Sequence, residues 1–395
     1  MTAIEPTLHF SREEFADRLA KTRTAMEAAD IEVLVITDPS NMAWLTGYDG
    51  WSFYTPQCVI IGPSGGPIWF GRFMDSVGAL RTTYLPADDI IGYPDHYVMS
   101  TERHSSEYLA EKLLERGWGA LQVGVEMDGY YYSPRAHQSL VDNLPGASFA
   151  DATALVNWQR SVKSAQEIAY MRIAGQIVEN MHNHIVERME PGMRKNDLIA
   201  EIYHVGIQGT PEHGGDYPAI VPLAPTGIDA TAAHLTWDDK PFETGMGTFF
   251  EIAGVHRHYH VPLCRTVFLG TPDRKWFDAE AALIASIDAG MSAAKPGNTC
   301  EDMHAAFITE LRSHGYDKES RAGYGIGLSY PPDWGERNIS IRPGDTTVFE
   351  PGMTFHFMPA LWQDDWGMEI TESLLITDDG CEALANVERK LFVKD

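Results

Sequence analysis

The sequence predicts a two-domain chain of mixed α/β (α+β) class, and three observations predict it. Its 395 residues exceed what one hydrophobic core ordinarily organises. Helix-start signals alternate with short apolar runs of strand length. A Pro-Gly segment leading into an amphipathic helix occurs twice, at Pro191 and Pro296, 105 residues apart. The expected division is 1–158 and 159–395.

The first helix starts at a capping box, Ser11 with Glu14, in which each side chain satisfies a backbone N–H, and it should run to about Ala29. Glu32 to Thr37 (EVLVIT) reads as a buried strand stopped by Asp38-Pro39-Ser40-Asn41. Gln57 to Gly62 and Pro67 to Phe70 read as strands around the turn Ser64-Gly65-Gly66. Helices are expected near 105–117 and 133–143, with a strand at Leu121 to Glu126 between them. A second capping box, Ser164 with Glu167, opens a long helix with apolar residues at Ile168, Met171, Ala174, Ile177, Val178, Met181 and Ile185. Pro191-Gly192 ends it. In both Pro-Gly segments an acidic residue follows the Gly by five places, Asp197 and Asp302, which reads as a duplication with a site between two similar halves.

Composition narrows the function classes. A formal net charge of −26 and a sequence pI of 4.9 argue against nucleic acid or an anionic membrane as a partner. Cys58, Cys264, Cys300 and Cys381 are scattered without a CxxC pair, so neither a zinc knuckle nor a disulfide framework is expected. The N-terminal segment has no basic-then-apolar leader pattern, so the expected address is cytoplasmic.

Several motifs follow one another in a recognisable order: Val162-Lys163-Ser164 with Glu167-Ile168, the two Pro-Gly segments, Arg265-Thr266, Gly323-Tyr324-Gly325-Ile326-Gly327, and Pro351-Gly352-Met353-Thr354-Phe355. Together they resemble the creatinase/prolidase/methionine-aminopeptidase superfamily over nearly the whole chain. The resemblance implies a creatinase-like N-terminal domain and a C-terminal catalytic domain of the "pita-bread" type. Metallopeptidases of that fold hold two metal ions through Asp, Asp, His, Glu and Glu. Here the matching positions carry Glu251, Pro262, Tyr324, Met358 and Thr371, with Glu369 and Glu372 flanking the last. Pro and Met supply no oxygen donor, so no metal and no other cofactor is expected.

Glu251 stands in an apolar run, Thr248 to Ala253, where a carboxylate is costly to bury without a partner or a task. It is the expected base or nucleophile. The resemblance places His234, in TAAHLTWDD, as the acid, and Arg337, in SYPPDWGER, as the group for a substrate carboxylate. Tyr324, Met358 and Thr371 are expected to line the pocket, and Trp362 to stack on a planar cation. His256, His258 and His260 alternate as on one face of a strand, but a hairpin beside Gly254 is the favoured reading for the first two, with His260 the one expected to face the pocket. The aromatic-rich run NMAWLTGYDGWSFY reads as a loop, and the resemblance implies a homodimer in which Tyr48 and Trp51 close the other subunit's site. Longer phrases, among them HGGDYPAIVPL, HLTWDD and TFFEIAG, resemble a branch of the family that opens a cyclic amidine, a planar amidinium bearing one carboxylate. An N-acetylated diamino acid, substrate for a deacetylase, would be the product. A creatinase-type amidinohydrolase, a prolidase-like metallopeptidase and a binding module without catalysis are the rivals.

Overall fold

The computed structural model describes residues 6–395, which pack as two units, 1–159 and 160–395. In the first, β1 follows α1 (Arg12–Ala28), whose N-cap is Ser11 as its capping pattern predicts. A six-stranded sheet has the order β4-β3-β2-β1-β5-β6, made of β1 (Val33–Ile36), β2 (Cys58–Ile61), β3 (Ile68–Arg72), β4 (Ile90–Tyr93), β5 (Gln122–Val125) and β6 (Ser148–Asp151). Around it lie α2 (Pro39–Thr46), α3 (Ser76–Thr82), α4 (Ser105–Glu115), α5 (Pro134–Asn143) and α6 (Leu155–Gln159). Val33, Val35, Ile60, Phe70, Val123 and Leu140 form its core.

The strand stops before Asp38-Pro39-Ser40-Asn41 as expected, and these residues start α2: Asp38 caps the N–H groups of Ser40 and Asn41, and Pro39 takes the first helical position, where its missing N–H costs nothing. Turn and helix-start signals share these residues. The aromatic run that begins at Asn41 is therefore helix up to Thr46 and irregular only after Gly47.

The second unit repeats a plan. The long helix α7 (Ala165–Arg188) leads through Gly192 to α8 (Lys195–Gln208) and the hairpin β7 (Gly247–His256) and β8 (Tyr259–Leu269). The long helix α9 (Arg274–Ala293) leads through Gly297 to α10 (Cys300–Ser313), then β9 (Gly323–Ile326) and β10 (Gly335–Ile341). Gly192 and Gly297 both adopt positive φ, +87° and +89°, so the duplicated Pro-Gly pair marks the same chain reversal twice. The caps have diverged: Thr299 and Asp302 form a capping box, whereas Arg194 is an N-cap without a side-chain bond and pairs with Asp197. The remaining strands are β11 (Thr354–Phe357), β12 (Ala360–Trp362), β13 (Gly367–Glu369), β14 (Glu372–Ile376), β15 (Cys381–Ala383) and β16 (Phe392–Lys394). They assemble as a five-stranded sheet β10-β9-β11-β14-β15, a pair β12-β13 and a three-stranded sheet β16-β8-β7.

The β7–β8 hairpin is buried along its whole length, and α7 lies directly on it. A Cβ on Gly254 would stand 2.1 Å from the Ala174 carbonyl oxygen, so only glycine admits this approach. Arg257 and His258, at φ 52° and 59°, form the two-residue turn that joins the strands. His256, His258 and His260 consequently occupy a strand end, a turn and the next strand rather than one face of a single strand.

Candidate active site

A cavity of about 590 Å³ opens within the second unit. Strand β7 brings Glu251 to it, and the segment before β7 lies alongside, pairing Leu223 with Glu251 through both backbone bonds. That segment contributes Ile220, Val221, Leu223, Ala233, His234 and Thr236. The loop between α10 and β9 supplies Lys318, Ser320 and Arg321, and β9 supplies Tyr324. Pro332, Asp333, Met358, Trp362 and Glu369 complete the wall.

Glu251 is buried, and among the described residues its side chain has no hydrogen-bond partner. The nearest basic group is His356 Nδ1 at 3.9 Å from Oε1. Burial first, then the neighbouring Glu369, pushes the Glu251 carboxyl well above its usual range, and Lys318 opposes that shift. Burial, followed by the charge of Arg265, pulls His356 down to about 3, so the imidazole is neutral and makes no ion pair with Glu251. Both of its ring nitrogens are engaged, with the Tyr324 hydroxyl at 3.1 Å and Thr371 Oγ1 at 2.8 Å. Trp334 Nε1–H donates to the Tyr324 oxygen at 2.7 Å, and the Cys264 N–H donates to Thr371 Oγ1 at 2.7 Å. This chain of bonds holds one wall rigid beneath Glu251.

The opposite chemistry belongs to Lys318 and Glu369. Lys318 is 6% exposed and Glu369 2%. The Lys318 Nζ donates to Ser320 Oγ at 2.5 Å and lies 4.4 Å from the centre of the Trp362 ring. Burial lowers it to about 8 although Glu369 and Glu251 both favour its charged form. Glu369 is raised to about 7 by burial, with Lys318 opposing, and among the described residues its Oε2 has no hydrogen-bond partner, as is also true of Trp362 Nε1. Arg321 is exposed, lies 4.5 Å over the Tyr324 ring, and has no carboxylate partner among the described residues.

Of the residues singled out in the sequence, Glu251, His234, Tyr324, Met358 and Trp362 come together around the cavity. His234 is exposed there. The face of Trp362 already carries the protein's own cation, Lys318. Others lie elsewhere. His260 is fully buried, accepts the Ala219 N–H at 2.9 Å and bonds the His258 carbonyl at 2.8 Å; both nitrogens are spent on backbone, and burial lowers it to about 3. Thr371 supports the wall from behind through His356. Arg337 sits at φ 55° within β10, where the pairing with β9 is irregular, and lies outside the lining, where Arg321 provides the guanidinium instead. In the first unit, Tyr48 is buried against Trp69, its hydroxyl donating to Gln57 at 3.0 Å, while Trp51 is 61% exposed. Sequence reasoning missed Lys318, Arg321 and His356. Lys318 sits in a polar stretch, Asp317 to Arg321, whose composition reads as a solvated loop.

A dinuclear metal centre does not fit these residues. At the five positions where the fold carries ligands, Pro262 and Met358 offer no oxygen, and the Tyr324 and Thr371 hydroxyls are held by protein groups. Among the described residues no three His, Cys, Asp or Glu side chains are grouped to hold an ion.

Two family models match the chain: the creatinase/prolidase N-terminal domain over residues 18–162, and metallopeptidase family M24 over residues 169–378. An ectoine hydrolase of Halomonas elongata is 58% identical, covering 99% of this chain and 100% of its own length. An uncharacterized hydrolase/peptidase of Sinorhizobium fredii, y4tM, is 42% identical over 98% and 99%. Among solved structures, dipeptidase PepE from Mycobacterium ulcerans superposes with a TM-score of 0.80 at 22% identity, covering 97% of this chain and 99% of that one. A prolidase from Thermococcus sibiricus reaches 0.83 at 17%, covering 96% and 99%, and shows the shared fold.

Proposed function

The chain belongs to the creatinase/prolidase family, and from that premise we propose that it hydrolyses the cyclic amidine ring of ectoine to N-acetyl-L-2,4-diaminobutyrate without a metal ion. The observation that carries the proposal is the wall itself: of the five positions where the fold's metallopeptidases need carboxylates and a histidine, only Glu251 keeps a carboxyl, buried and without a hydrogen bond among the described residues. The 58% identical relative named for ectoine supports the substrate.

The substrate is a planar amidinium carrying one carboxylate. Its cation fits between the buried carboxyls Glu251 and Glu369, where a positive charge lowers the cost of ionising them. Its carboxylate fits Arg321, whose fork has no carboxylate partner among the described residues. Glu251 acts as base toward water, or attacks the amidine carbon directly, and His234 at the exposed side protonates the departing ring nitrogen. A homodimer, with Trp51 closing the other subunit's cavity, and a deacetylase that consumes the product are part of the same proposal.

The test is incubation of exhaustively chelated protein with ectoine, hydroxyectoine and creatine, with mass-spectrometric detection of products. The expected result is an acetylated diamino acid from ectoine at an undiminished rate. Activity lost on chelation and restored by a divalent ion would end the metal-free mechanism. Turnover of creatine alone would replace the substrate. Size-exclusion chromatography with Trp51→Ala checks the dimer: a monomer, or an unchanged KM in the variant, removes that part.

A further inference from the structure

Opening a cyclic amidinium by water moves two protons onto one nitrogen. The ring nitrogen that leaves enters with one hydrogen and departs, as an ammonium, with three. Both protons come from the added water. One is released when the C–O bond forms, and Glu251 takes it. The other is released from the new hydroxyl when the C–N bond breaks and C=O forms. His234 delivers one proton to the ring nitrogen and is reset by Glu251, so a second carrier is needed.

We propose that this carrier is Lys318, a buried amine that shares the cavity with Glu251. In the tetrahedral intermediate the C–N electron pair goes to nitrogen. The neutral Lys318 amine takes the hydroxyl proton, then passes it from its ammonium to the freed amine and is neutral again. The assignment rests on the amidine reading above and deepens it.

Three features of the site favour this role over a structural ion pair. The Nζ is held by neutral groups, the Ser320 hydroxyl at 2.5 Å and the Trp362 face at 4.4 Å, and forms no salt bridge among the described residues. Elsewhere in the same unit the buried Lys163 is clamped onto Glu336 at 2.6 Å, the arrangement expected of a structural lysine. Finally, the charged groups around Lys318 are mixed: Glu251 of β7 and Glu369 of β13 favour the ammonium, Arg321 of its own loop opposes it, and His304 of α10 lies near enough to feel its charge. Burial, opposed by the two glutamates and helped by Arg321, brings Lys318 down to about 8, within reach of neutral pH, and a bound amidinium adds a further cation that favours the neutral amine. A substrate carboxylate is better served by the exposed Arg321, which has no carboxylate partner among the described residues, than by a lysine between two glutamates.

The experiment compares the wild type with Lys318→Arg, Lys318→Met and Lys318→Ala under ectoine turnover, with circular dichroism to confirm folding. Both Arg and Met variants should lose about 100-fold or more in kcat, because arginine keeps the charge but does not surrender a proton. Lys318→Ala should recover activity with added ethylamine, saturably, and the wild-type rise of kcat/KM with pH through about 8 should vanish in Lys318→Arg. Lys318→Arg within about threefold of wild type, or a folded Lys318→Ala that ethylamine does not rescue, would overturn the assignment. A rise in KM alone in Lys318→Met would make it a binding residue. Should the wild type itself fail to open the ring, the amidine reading falls before any variant is examined.

Discussion

Two buried glutamates, one in each unit, have opposite surroundings. Glu126 follows β5 and accepts four hydrogen bonds: from the Thr37 N–H at 2.6 Å, the Thr37 hydroxyl at 3.1 Å, the Asp38 N–H at 2.8 Å and Asn41 Nδ2 at 2.8 Å. It ties the end of β1 to the start of α2. Glu251 is similarly buried and accepts none. Burial raises both carboxyls, but only for Glu126 do hydrogen bonds act against it. Other buried carboxylates of the second unit resemble Glu126: Glu336 meets Lys163 and Arg160, and Glu372 meets Arg265 at 2.7 Å. Where Glu126, Glu336 and Glu372 are met by donors, Glu251 accepts no hydrogen bond and Glu369 Oε2 has no partner among the described residues, both at one cavity. Under the proposed function, that cost is tolerated because the incoming amidinium completes the site.

The contrast is sharpest in Glu251→Gln, which should lower kcat at least about 10³-fold while leaving thermal stability unchanged or raised. Glu126→Gln should do the reverse, losing about 2 kcal/mol in denaturant unfolding through unsatisfied amide groups while the folded enzyme keeps its kcat. An exchange of these outcomes would break the comparison. Glu369 tests it through pH. Its folded value, about 7, lies above its ordinary 4.5, so its contribution to stability is full below about pH 4.5 and is lost as pH rises through 7. Melting temperature should therefore fall from pH 5 to pH 8, and Glu369→Gln should flatten that slope; an identical slope in the variant would contradict it. The smallest effect is expected of Arg321→Ala, about a tenfold rise in KM at unchanged kcat, read from steady-state kinetics.

Much of this was legible before folding. The capping box at Ser164 and Glu167, the two Pro-Gly reversals and the apolar periodicity of α7 are local patterns, and each forms where its residues require. Glu251 stood out as a carboxyl in an apolar strand, and the structure buries it at the cavity. Less legible were segments whose chemistry permits two outcomes. Asp38-Pro39 serves a turn as readily as a helix start, and the Val255–Val261 histidines fit one strand face until the turn at Arg257 and His258 divides them.

By itself, then, the sequence determined the class, the duplication and the one acid retained in the cavity, because periodicity, caps and residue type act over a few neighbours along the chain. The tertiary structure alone decided that Lys318 belongs with Glu251, Trp362 and Glu369, that Arg321 faces the cavity in place of Arg337, and that His260 is spent on backbone. Those groups lie up to 118 positions apart in the sequence. Burial and charge are sums over whatever folding brings near, so a lysine in a polar loop becomes a poised amine only when strands from both repeats close around it.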